Sequence, residues 1–142
     1  MYKEILLPVD LQETALSERA VVVAQDIANS YNANITVITV IPDFGMPMVA
    51  NFFPEDAMRK ARREVKAELQ RFIESHFREP EKIQFDVAQG SPHKLIVRHA
   101  HVHKNDLIIL PARAKDLGKM LLGSCSTHVV EGATCSVLIV RP

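Results

Sequence analysis

The chain has 142 residues, 47% of them hydrophobic, with 17 basic residues balanced by 17 acidic ones. That length and apolar content make one domain, residues 1–142, with a single sizeable core, and leave no material for a second. A net charge of zero, without a basic stripe interleaved with aromatics, excludes the electrostatic footprint of a nucleic-acid or anionic-membrane partner.

Taken in chain order, apolar runs of strand length alternate with stretches of helical period. Lys3 to Val9 reads as the first strand, and Thr14 to Tyr31 as a helix with Leu16, Ala20, Val23, Ala24, Ile27 and Tyr31 on its inner face. Asn34 to Ile41 is the second strand. A long loop, Pro42 to Phe53, carries Met46, Met48, Phe52 and Phe53, an apolar surface suited to a lid or an assembly contact. Pro54 then opens a helix to about Phe77, with Met58, Ala61, Val65, Leu69, Phe72 and His76 inward and the basic run Arg59, Lys60, Arg62, Arg63 and Lys66 solvated. Ile83 to Ala88 is the third strand, Ser91 to Val102 a helix, and Asp106 to Leu110 the fourth strand. A last helix runs from Ser124, as N-cap, to Glu131 and stops at Gly132, and Cys135 to Val140 is the fifth strand.

This alternation is the signature of right-handed strand–helix–strand units. It predicts an α/β domain with an open five-stranded parallel sheet, order 3-2-1-4-5, covered by helices on both faces. Such sheets bind ligands beyond the carboxyl ends of their strands, where the strand order reverses. Pro8, Val9 and Asp10 then face Leu110 to Arg113, and Gly123 and Ser124 close the floor. Cys125, Ser126 and Thr127, in the first turn of the last helix, bring donors but no acidic residue to the positive end of the helix dipole, so an anion suits that place.

Each of these residues has a plainer use. Asp10 can cap the turn before the first helix, Ser124 can be an N-cap alone, and Arg113 and Lys115 can be solvated loop charges. His93, His99, His101 and His103 crowd one helix, and His99 with His103 has the spacing of a metal pair, yet no acidic or thiol ligand completes a set nearby. Ser124, His128 and Asp10 lack the strained G-x-S-x-G elbow of a serine hydrolase. Cys125 and Cys135 form no C-x-x-C pair and read as reduced thiols. No charged-then-apolar leader follows Met1, and no apolar run reaches the ~18 residues of a membrane span, so a soluble cytoplasmic protein is expected.

Four segments, in this order and spacing, resemble one family: L-L-P-V-D at Leu6 to Asp10, T-V-I-P at Thr39 to Pro42, Q-G-S-P at Gln89 to Pro92, and L-L-G-S with C-S-V-L-I-V-R-P from Leu121 to Pro142. The chain is similar over its whole length to the universal stress proteins of the UspA superfamily. Its Met- and Phe-containing loop is closest to their UspF and UspG subgroup. The resemblance implies a Rossmann-like, adenine nucleotide alpha hydrolase-like fold that binds ATP or AMP, with magnesium arriving on the nucleotide. It also implies that Asp10 accepts a ribose hydroxyl, Pro8 and Val9 line the base pocket, and Val40 offers backbone contacts to adenine. Gly123, Ser124, Cys125 and Ser126 present donors to phosphate. The family's G-x-x-G-x9-G-[ST] loop keeps its last pair at Gly123 and Ser124, while its first two glycines fall on Leu110 and Arg113, and Arg113 supplies charge in exchange.

Two functions from different classes follow. The first is a regulatory nucleotide-binding protein, with at most slow hydrolysis because no magnesium-binding carboxylate pair or positioned base is evident. The second is a nucleotide-independent interaction module whose pocket Leu110 and Arg113 close. Under both, the apolar edge strand Cys135 to Val140 calls for a two-fold partner, so a homodimer, extendable to a tetramer, is expected.

Overall fold

Five consecutive residues, Ile5 to Val9, are buried without the in-out alternation of a half-exposed strand. A strand of that kind must be covered on both faces, and it lies at the centre of the sheet. The computed structural model describes residues 1–42, 55–113 and 122–142. Strand β1 (Glu4–Pro8) is flanked by β2 (Asn34–Pro42) and β4 (Leu107–Pro111), with β3 (Gln84–Gly90) and β5 (Ser136–Val140) outside them. The order β3-β2-β1-β4-β5, parallel throughout, is the expected one.

The pleat of β1 sends alternate side chains into two cores. Ile5, Leu7 and Val9 meet Ala20, Val21 and Ala24 of α1 (Glu18–Tyr31) and Leu69, Phe72 and Ile73 of α2 (Glu55–His76). Leu6 faces the other way, toward Ile96 and Ala100 of α3 (Pro92–Val102) and Val129 of α4 (Ser124–Gly132). Full burial of one such aliphatic side chain contributes about 1.5–3 kcal/mol, so β1 anchors both layers. At the opposite end of the sheet from the cleft described below, the carboxylate of Asp106 accepts the amides of Lys3 (2.8 Å) and Glu4 (3.1 Å), while its own N–H donates to Glu4 O (2.9 Å). One residue thereby fixes where β1 begins beside β4.

Three expectations are corrected. The first helix opens as a 3-10 turn, Thr14–Ser17, before α1 begins at Glu18. Ser17, Ala20, Val21 and Ala24 are buried and Val23 and Ile27 pack partly buried against the same core, as expected, while Tyr31 lies exposed at the end. Ser124 is the first residue of α4 and Gly123 is its N-cap, with φ −58° and ψ 160°. No side chain caps that end. Gly132 belongs to the helix and is not a left-handed terminator; the helix stops at Ala133, which is extended at φ −70° and ψ 141°. The left-handed stop occurs instead at Asn32 (φ 52°), after α1. Glycine is required at Gly90, which leaves β3 with φ 139° and turns the chain into α3.

A Cβ added at Gly132 would meet Val97 at 3.5 Å and 3.8 Å, ordinary van der Waals contact. Gly132→Ala is therefore expected to stabilise the fold by about 0.5 kcal/mol through helix propensity and a less free unfolded chain. Urea denaturation of the two proteins checks the sign.

Candidate functional site

The sheet parts between β1 and β4 at its carboxyl end. Registered pairs between these strands run only from Ile5↔Leu107 to Leu6↔Ile108, whereas β4 stays with β5 through Pro111↔Val140. Ala112 N–H continues that allegiance, donating to Val140 O at 3.0 Å. On the other side, β1 remains joined to β2 through Pro8↔Ile38 and the Val9 N–H to Ile38 O bond (2.8 Å). The separation opens a cleft of ≈ 530 Å³ over the strand ends. Pro8, Val9, Asp10, Val40, Leu110, Arg113, Gly123, Ser124, Cys125 and Ser126 all line it. The ten residues singled out in the sequence, from four separate segments, converge there.

The wall of the cleft along β2 is apolar and ends in a backbone ledge. β2 outruns β1, staying paired with β3 as far as Pro42↔Gly90. Since Ile38 faces β1 with its backbone, the two-residue alternation turns the N–H and C=O of Val40 the same way, beyond the last β1 pair. Among the described residues no strand hydrogen bond reaches Val40 from that side. The buried hydroxyl of Thr39 braces the rim by donating to Val9 O at 2.9 Å.

Asp10 does what its plainer reading demands and keeps an oxygen in hand. Its Oδ1 accepts the Gln12 N–H (2.9 Å) and its carbonyl the Glu13 N–H (3.1 Å), which closes the turn after β1. The second oxygen, Oδ2, lies 3.9 Å from Arg113 Nη2. That guanidinium sits closer to Glu13, with Nη2 to Oε2 at 2.6 Å, in an ion-pair contact that lacks hydrogen-bond alignment. Sequence reading missed Glu13; its position three residues after Asp10, at the end of a turn, was the available signal. Leu110 is a core residue as well as a wall, packed with Leu6, Ile38 and Val129.

At the floor, the first intrahelical bond of α4 runs from Thr127 N–H to Gly123 O (2.9 Å). The amides of Ser124, Cys125 and Ser126 precede it and have no helical acceptor. The first turn carries no acidic residue, and a Cβ placed on Gly123 meets no described atom within 4 Å. Backbone donors and the positive end of the dipole therefore face the cleft. Burial pushes the thiols of Cys125 and Cys135 up from the ordinary value, so both remain protonated.

The histidines do not gather. His93 stacks on His128 across α3 and α4 with ring centroids 4.4 Å apart, and His99 stacks on His103 at 4.0 Å. His101 lines a groove at the opposite end of the sheet, beside the starts of β4 and β5, with Lys104 and Asp106. Among the described residues no three histidine, cysteine or acidic side chains converge as metal ligands. His128 Nδ1 donates to the carbonyl of Ser124 (2.6 Å). Buried His99 places Nδ1 3.2 Å from Asn105 Oδ1 and Nε2 3.6 Å from Asp86 Oδ2. Residues Met46, Met48, Phe52, Phe53 and Lys115 lie outside the described residues.

The fold defines a doubly wound α/β protein whose cleft lies at the switch point, the place where such sheets bind ligands. The family model described as the universal stress protein family matches residues 1–141, and the chain belongs to that family. Universal stress protein G of Salmonella typhimurium is 29% identical, over 99% of this chain and 100% of that one. The universal stress protein UspA of Lactobacillus plantarum is similar in structure, with a TM-score of 0.71, 26% identity, and coverage of 99% and 98%. A universal stress protein solved in complex with cAMP shares the fold at a TM-score of 0.60 and 24% identity, with coverage of 99% and 97%. No helix among the described residues is long and apolar enough to cross a membrane.

Burial, then the neighbouring His103, lowers the pKa of His99 from the ordinary 6.5, outweighing the opposing effects of Asn105 and Asp86. A lowered folded pKa means that the unfolded chain binds the proton first, so the His99 contribution is intact above pH ~6.5 and is lost as pH falls toward the folded value. Thermal midpoints recorded from pH 7.5 to 5 are expected to fall, and the fall should be shallower in His99→Gln.

Proposed function

We propose that this chain is a stress-response protein that binds an adenine nucleotide, ATP or AMP, in the cleft between the ends of β1 and β4, and that occupancy regulates its contacts with partners. The observation that carries the reading is the parting of β1 from β4 with a carboxylate on one bank and an acid-free helix start on the other. Asp10 Oδ2 suits a ribose hydroxyl, the amides of Ser124 to Ser126 suit phosphate, and the ledge at Val40 suits the edge of a base. Binding of cAMP by a protein of the same fold and family supports an adenine nucleotide over other anions. Magnesium would arrive with the nucleotide phosphates.

In this reading the protein is a switch, with slow hydrolysis at most, and works in the cytoplasm. The free edge of β5, where Leu138 is 37% exposed, suits a two-fold partner strand and hence a homodimer. A nucleotide-independent interaction module is the rival, favoured by the reach of Arg113 to Glu13 at the cleft.

Calorimetric titration of nucleotide-stripped protein with Mg-ATP separates the two. Saturable binding is expected, weakened roughly tenfold or more in Asp10→Ala, where a charge-assisted hydrogen bond is lost. Gly123→Val, whose new side chain projects clear of the described atoms, is expected to keep the fold and lose affinity. Absence of heat with ATP, and of any competition by AMP, would leave the interaction module as the better account.

A further inference from the structure

Arg113 is the only basic side chain among the described residues that line the cleft, where Asp10 and Glu68 are the acidic ones. Its guanidinium is already held, 2.6 Å from Glu13 Oε2 and 3.9 Å from Asp10 Oδ2. Glu13 Oε2 is itself shielded from solvent and accepts no aligned hydrogen bond, and Arg113 is its ion-pair partner. Glu13 and Asp10 stand on the turn after β1, and Arg113 stands just beyond β4. The contact therefore bridges the two banks where the sheet has parted.

We infer that Glu13 is a specificity-determining residue: it latches Arg113 across the cleft, and phosphate must win the guanidinium away from it. The inference rests on the nucleotide reading. A nucleoside without phosphate has no use for Arg113 and leaves the latch shut, whereas a nucleotide brings two or more negative charges into a site whose described charged side chains are two carboxylates and one guanidinium. Guanidinium prefers a bidentate phosphate to one poorly aligned carboxylate oxygen. Exchange of partners is cheap, because the Arg113 and Glu13 side chains as wholes are 59% and 42% exposed, and ion pairs at such positions are worth little in water. The latch thus sets how strongly the site discriminates nucleotide from nucleoside, and it ties that discrimination to the distance between the β1 and β4 banks.

Adenosine, AMP and ATP titrated into wild type, Glu13→Gln, Arg113→Gln and the double variant test this. Glu13→Gln should bind AMP and ATP roughly two- to fivefold more tightly, the range set by exposed ion pairs, and leave adenosine unchanged. Arg113→Gln should weaken both nucleotides, and adding Glu13→Gln to it should bring no further gain. A gain that persists without Arg113 would mean that Glu13 acts only as a repulsive charge, and the latch would be wrong. An unchanged nucleotide affinity in Glu13→Gln would overturn the latch and leave the nucleotide reading standing. Failure of every variant to bind any of the three ligands would remove the nucleotide reading and the latch with it. Binding in Glu13→Gln alone would support the latch in its strongest form.

Discussion

A central strand cannot keep both neighbours once the chain on its two sides runs to opposite faces of the sheet. β1 holds β2 to its end and lets β4 go after two registered pairs, while β4 stays bound along its whole length to β5. Everything that resembles a binding site follows from that unequal pairing. The gap exposes the turn after β1 on one bank, the loop after β4 on the other, and the start of α4 below. The cost of the gap is small, since burial of alternate β1 side chains in two separate cores holds the strand in place.

Charge at this gap is arranged against expectation for an anion site. Described carboxylates outnumber the described cation, and the positive contribution comes from backbone amides at the α4 terminus. Such a site has a fixed positive pole at the floor and an adjustable one at the rim. The fixed pole cannot be titrated or paired away by a side chain, while Arg113 changes with the company it keeps.

The strand order and the cleft residues were legible because they depend on coarse features. Unbroken apolar runs at Ile5 and Ile108 mark doubly covered strands, and Asp10, Gly123 and Ser124 are residue types that strand ends and helix starts favour. Details that turn on backbone phase were not legible. The opening turn of the first helix is 3-10 over Thr14–Ser17, which a reading that assumes one helical period does not separate from α1. Gly123 and Ser124 both favour caps, so residue type could not say which one leaves the helix. Gly132 has the composition of a terminator and the dihedrals of a helix. Glu13 and Asp106 act through partners about a hundred residues away, and nothing in their immediate surroundings announces them.

The ledge at Val40 has a consequence for how recognition survives divergence. Main-chain donors and acceptors are common to every non-proline residue, so a base gripped there would be indifferent to which side chain position 40 carries. Drift in the amino-acid alphabet then leaves the grip intact so long as β2 outlasts β1. The length of one strand, and not the chemistry of one residue, would be the inherited trait.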